Sequence, residues 1–272
     1  MSESEAGIVF DIWMNTKARR QVASDQINAI MRTFLKCPKP LFLKLIYERS
    51  CKWHSYSKGD ITFLASTLEE IVEQHFETLE QKHGKVLVSS AYGYITASRY
   101  GLTESEIEDL LSSDNEVITA IYDKNIPTIA RIPPISWIRL RADAGSYLSL
   151  YTANRGRVLK WFHRFIDECA VRRYLSSELQ RRNIHTALSD YFKGTWSNNR
   201  KKPCRNSSSD RLLPPQPLIY SGKGSNKPIY NFRKLAELPY HLLRAGNNYS
   251  STYSYCTDLF FNYVLRSIFI YI

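Results

Sequence analysis

Cysteine is sparse, with five residues in 272 (Cys37, Cys51, Cys169, Cys204 and Cys256) and no C-x-x-C pair. That scatter argues against a disulfide framework and against a structural zinc site, and predicts a reduced, cytoplasmic setting. Glycine and proline are also few, 11 of each, which excludes a collagen-like chain, while 43% hydrophobic residues exclude disorder throughout. No apolar run reaches the ~20 residues a membrane span needs; the last one, Leu259 to Ile272, is interrupted by Asn262 and Arg266. The first residues, Met1 to Gly7, are small and acidic where an export signal would be basic and then apolar, and they read as a disordered N-terminus.

Chemistry-bearing motifs are missing as well. A G-x-x-x-x-G-K-[ST] loop, whose backbone N–H groups would wrap phosphate, is not present. Gly222-Lys223-Gly224-Ser225 has neither a strand before it nor a helix after it, and Pro228 follows closely. The six histidines form no H-E-x-x-H and no grouping with carboxylates at ligand spacing, and no G-x-S-x-G elbow would expose a serine nucleophile. The expectation is a chain that is not an enzyme, with no catalytic residue and no metal.

What is there is helical spacing. Ile27, Ile30, Met31, Phe34 and Leu35 lie on one stripe, followed by Leu41, Leu45 and Ile46 beyond the break at Pro38 and Pro40, so two helices joined by a proline elbow are predicted. Thr67 stands three residues before Glu70 as a capping box, ahead of a stripe of Leu68, Ile71, Val72, Phe76 and Leu79 that ends at Gly84. Glu69, Glu70, Glu73, Glu77 and Glu80 lie largely outside the stripe and form a solvated face rather than catalytic carboxylates. A second capping box, Thr103 with Glu106, opens another helix after Gly101.

Further on, Pro133-Pro134 begins a short helix to Arg141, and Tyr147 to Trp161 reverses at Ala153-Asn154-Arg155-Gly156, a β-hairpin signature. With the apolar helix candidate Lys85 to Ser98 ahead of these two, three helices and then a hairpin is the order of a winged helix. The fold expected is therefore mainly α. A helical domain (8–98) precedes a winged-helix domain with a small β-hairpin wing (99–192). A basic Pro/Ser/Gly/Asn linker (193–228), a helix that starts an α-helical repeat (229–247) and an atypical tail (248–272) follow. Trp13, Trp53 and Trp137 are expected as core anchors.

The net charge of +11 is concentrated in arginines between Arg139 and Arg182. A nucleic-acid-binding winged helix would use Arg155 and Arg157 on the wing. The would-be recognition helix argues against this, since Ile135, Trp137, Ile138 and Leu140 leave only Arg139 and Arg141 suited to base edges. Protein packing is the favoured use of that surface.

Several ordered runs together resemble the STAND-class NTPases, most closely those in which a NACHT domain is followed by WD repeats or tetratricopeptide repeats. The runs are Cys37 to Leu45, Trp53 to Tyr56, Gly101-Leu-Thr-Glu-Ser-Glu-Ile-Glu-Asp-Leu-Leu-Ser112, Arg131-Ile-Pro-Pro134, Trp161-Phe-His-Arg-Phe165 and Arg233 to Leu243. In that family a P-loop domain binds ATP or ADP, and helical and winged-helix domains close over the nucleotide. The resemblance covers the part after the P-loop domain and implies a segment of a longer protein. It implies a regulatory role in coupling nucleotide state to partner assembly, with an upstream P-loop NTPase domain and downstream repeats as partners and ADP or ATP bound in the intact protein.

Residue by residue, the resemblance implies that Pro40, matching the proline of a G-x-P motif, packs near adenine. Pro38 stands where the motif has glycine, and Pro40 as a plain helix starter is an equal alternative. His163 resembles the winged-helix histidine that reaches the β-phosphate of ADP; the competing reading is a satisfied histidine at a helix start. A stand-alone adaptor using the same surfaces without nucleotide is the first functional alternative, and nucleic-acid binding the second.

Overall fold

A computed structural model describes residues 1–19, 21–53, 65–122, 130–203, 211–220 and 229–246. The chain divides into two compact units, Met1–Thr78 and Leu79–Ile272.

The first unit opens with α1 (Glu3–Trp13), continued by a π-turn to Ala18, and continues with α2 (Ser24–Lys36), α3 (Pro40–Ser50) and most of α4 (Leu68–His83). The expected disorder over residues 1–7 is corrected here: Ser2 caps α1 by accepting from the Glu5 N–H, and the Glu5 carboxylate accepts from the Ser2 N–H at 2.8 Å. These reciprocal bonds satisfy donors that a fraying end would leave open. Phe10, Ile30, Phe34, Phe42, Leu43 and Ile46 are fully buried and form the apolar centre. The proline elbow is as expected, with Pro40 in the first turn of α3, where its missing N–H costs nothing. Thr67 accepts from the Glu70 N–H, but Glu70 answers on the Ser66 N–H at 2.7 Å, so this box is shifted by one residue. Trp53 is buried, whereas Trp13 is half-buried against Tyr47.

The second unit contains α5 (Lys85–Ala97), α6 (Glu104–Ser113), α7 (Asn115–Tyr122), α8 (Pro134–Ala144), β1 (Leu148–Ala153), β2 (Gly156–Trp161), α9 (Arg164–Tyr174) and α10 (Glu178–Lys193). A two-residue ribbon, β3 (Ile219–Tyr220) with β4 (Ile229–Tyr230), precedes α11 (Phe232–Arg244). The wing pairs antiparallel from Leu148 opposite Trp161 to Ala153 opposite Gly156. Asn154 and Arg155 both have positive φ, 50° and 63°, the geometry of a tight two-residue reversal. Leu102 adds a third strand one residue long, exchanging two backbone hydrogen bonds with Leu159 at 3.1 and 2.7 Å. The close approach depends on Gly101, which has φ +92° and whose absent Cβ would lie 2.5 Å from the Leu159 carbonyl oxygen.

Helix α5, grouped by its sequence position with residues 8–98, packs here against α9, α6, α10 and β2. Its Tyr92 meets Trp161 of β2 and Tyr174 of α9 edge-on at 4.9 and 5.7 Å, and the Trp161 indole N–H donates to Thr96 at 2.9 Å. One wall is closed by Glu80, which accepts two hydrogen bonds from Arg173 and one from Tyr174. Burial alone would raise the Glu80 pKa; the Arg173 and Tyr174 donors outweigh it and hold the carboxyl below its ordinary range.

The stretch expected as a flexible linker is anchored wherever it is described. Arg211 is 2% exposed and donates to the carbonyls of Ser113, Lys202 and Pro203 and to the Asn115 side chain. Its guanidinium thereby caps α6 and ties Lys202 and Pro203 to the end of that helix. The tail 248–272 and the Gly222–Ser225 run lie outside the described residues.

Candidate functional site

His163 occupies the N-cap of α9 in extended backbone, so its side chain does the work a serine or aspartate does at other helix starts. Its Nδ1 accepts from the Phe165 N–H at 3.1 Å. A neutral imidazole that accepts through Nδ1 carries its proton on Nε2, so a hydrogen-bond donor remains at an exposed helix N-terminus. Arg164 beside it is 89% exposed and bridges to Glu168 one turn on. Both readings of His163 from the sequence are compatible with this geometry, because one ring nitrogen caps the helix while the exposed residue keeps a second. These residue types suit a terminal phosphate. Pro40 is exposed at the start of α3 and belongs to the other unit.

The wing and α8 are less suited to nucleic acid. Arg155 places its guanidinium 4.1 Å from the centroid of the Phe232 ring, so the wing-tip cation is engaged by α11. On α8, Trp137, Leu140 and Ala144 are buried, and the outward face carries Ile135 and Ile138, 50% and 53% exposed, together with exposed Arg139 and Ala142. Arg141 pairs with Glu104 of α6.

The densest polar constellation was not singled out from the sequence. Helix α11 buries Lys234, Glu237, Leu238, His241 and Leu242, a helical stripe in which three of five positions are polar. Glu237, fully buried, accepts from the backbone N–H groups of Arg99 and Tyr100, each at 3.0 Å. Arg233 forms a fork on Glu106 at 2.9 and 2.8 Å, donates to the Gly101 carbonyl at 2.7 Å and reaches Glu237 at 3.3 Å. His241 meets Glu237 through Nε2 at 3.2 Å and His185 of α10 through Nδ1 at 2.9 Å. The signal that could have exposed this dock is the polar stripe itself, since charged residues at core positions of a helix need buried partners elsewhere.

Burial pushes the His185 pKa down to about 4, helped by His241 and Arg244; burial also lowers that of His241, outweighing the nearby Glu237 carboxylate. Burial would raise the Glu237 carboxyl, but the His241 hydrogen bond and the Arg233 charge hold it low. A separate polar cleft of about 440 Å³ is lined by Ser90, Tyr94, Asp114, Asn183 and Lys202 among others, and neither Pro40 nor His163 borders it. Among the described residues no group of three His, Cys, Asp or Glu side chains could hold a metal ion, and no helix is long and apolar enough to cross a membrane.

The chain is similar in sequence to known proteins. Residues 56–182 match a family described as the NWD1-like winged helix-turn-helix domain. NACHT domain- and WD repeat-containing protein 1 from Homo sapiens is 38% identical over 238 residues, 84% of this chain and 15% of that protein. The Mus musculus protein of the same name is 36% identical over 237 residues. NACHT and WD repeat domain-containing protein 2 from Mus musculus is 31% identical over 281 aligned positions, 93% of this chain and 16% of that protein. The chain thus spans less than a fifth of the length of these relatives. No solved structure matches it.

Proposed function

From the premise that this chain carries the NWD1-like winged helix and is a relative of the NACHT and WD repeat proteins, we propose that it is a regulatory segment coupling the nucleotide state of a P-loop domain to partner assembly. The observation that carries the reading is the exposed His163 cap, with Nδ1 engaged by Phe165 and a donor left on Nε2. When bound, ADP would supply a terminal phosphate for that donor. Within the chain, the Phe165 N–H fixes the tautomer, and the start of α9 adds a favourable field for an anion. Pro40 is assigned to the adenine side on the resemblance alone. Loss of the phosphate contact would free the unit to move, and a change of position would expose surfaces for assembly.

Nothing in this reading asks the segment to hydrolyse ATP, and a cytoplasmic setting goes with it. The exposed Ile135–Ile138 stripe on α8 favours protein over nucleic acid as the material that covers it. The test combines the purified chain with a separately produced NACHT domain of the human relative and follows release of fluorescent ADP. His163→Ala is expected to speed release at least tenfold while the chain alone turns over no ATP. Equal release from both forms, or turnover by the chain alone, would defeat the proposal. Partner capture indifferent to His163 and Pro40 substitution would favour the adaptor instead.

A further inference from the structure

The α11 dock is closed by a relay whose hydrogen count is fixed. An ionised Glu237 can only accept, so the Nε2 of His241 must carry its proton; a neutral His241 then has only a lone pair on Nδ1, and His185 must supply the N–H of the 2.9 Å contact. Every nitrogen in that line is used once. Around the two rings stand Arg233, Glu237, Tyr240 and Arg244 of α11, Phe192 of α10 stacked on His241 with an interplanar angle of 5°, and Glu106 of α6. Arg99 and Tyr100 contribute backbone N–H groups to Glu237, and the Arg99 guanidinium lies 6.0 Å from the centroid of the Tyr240 ring.

One extra proton on His185 preserves the N–H···N contact but sets a cation in a closed site already holding Arg233 and facing Arg244. A second proton sets N–H against N–H. With α11 lifted away, both imidazoles are hydrated and titrate normally.

We propose that α11 is a releasable latch on the winged-helix unit and that the His185–His241 pair is its acid-sensitive pin. Release removes the cover from the Arg99–Gly101 backbone that leads into the Leu102 bridge and from the Arg155 wing tip together, because Glu237, Arg233 and Phe232 all sit on the same helix. The device therefore uncovers a basic, strand-edged face of the winged helix in one step. It does not depend on His163 or on any nucleotide.

Sign and size follow from linkage. A histidine at about 4 when docked and at its ordinary 6.5 when released binds more protons in the released form, so release becomes about twenty-fold more favourable at pH 5 than at pH 7.

The experiment is amide hydrogen exchange on the full chain at pH 7 and pH 5, corrected for the intrinsic pH dependence of exchange. The expected result is loss of protection, by at least tenfold, in residues 233–244 and at Leu102, with α5 and α9 still protected. His185→Gln keeps a neutral donor in the pin and should cut the loss of α11 protection between pH 7 and pH 5 at least fivefold, leaving only the share that His241 contributes. Simultaneous loss in α5, α9 and α11 would mean global unfolding and overturn the latch; so would pH-indifferent protection of α11, or a pH response undiminished in His185→Gln.

Discussion

Arg155, at the second position of the wing turn, holds a left-handed backbone conformation with φ 63° and stacks its guanidinium on Phe232, 77 positions later in the chain and 4.1 Å away. A side chain with a Cβ is strained in that conformation, and the stacking contact offsets the strain. Replacing Arg155 by Ala keeps the strain and removes the contact, so unfolding in urea should show a loss of about 1 kcal/mol. Arg155→Gly removes both and should cost less than the alanine variant. The opposite ranking would show that the strain contributes nothing, and an alanine variant as stable as the parent chain would show the same of the contact.

Gly101 gives a sharper test. Alanine there combines positive φ with a Cβ only 2.5 Å from the Leu159 carbonyl oxygen, a backbone atom that cannot swing away. Gly101→Ala should destabilise the chain by about 2 to 3 kcal/mol in chemical denaturation. Gly84→Ala is the control: φ is also positive, +90°, but nothing lies within 4 Å, so a smaller loss is expected.

Glu237→Ala would leave Arg233 short of a partner and two backbone N–H groups unsatisfied in a closed site. A loss of about 3 to 5 kcal/mol is expected from thermal or urea unfolding. Glu237→Gln retains an acceptor oxygen and should fall between that variant and the parent chain. Equal stability of all three would remove the polar dock from any account of how α11 is held.

Acid should act on Glu80 in the same direction as on the dock. Its carboxyl lies below 4.5 in the folded chain because Arg173 and Tyr174 outweigh burial. Stability from this group is therefore present above pH 4.5 and declines as pH falls below it. In Arg173→Ala, the acid-induced loss between pH 5 and pH 3 should shrink, as followed by near-ultraviolet circular dichroism.

Local patterns carried much of the fold into view. The Thr103–Glu106 box, the proline elbow and the Asn154–Arg155 reversal are written in neighbouring residues, and each stands where its spacing puts it. What stayed hidden depends on distant partners. The run from Gly194 to Pro228 has the composition of a linker, yet Arg211 caps α6 with a contact to Ser113, 98 positions earlier. No local window contains both ends of that bond. The start of the chain failed differently: its acidic residues suggested a solvated end, although Ser2 with Glu5 had the spacing of a capping box. His163 was legible as a position, while its ring tautomer emerged only with the Phe165 N–H in place.

The hydrogen bonds from Arg99 and Tyr100 to Glu237 span 138 and 137 residues. During synthesis, the strand edge beside Leu102 leaves the ribosome long before the carboxylate that covers it exists. For that interval, at about 5 to 20 residues per second, the nascent unit carries an open edge for roughly 7 to 28 seconds. Its vulnerability to mispairing is thus a matter of translation speed, and slowing elongation between Arg99 and Glu237 should increase the demand for chaperones.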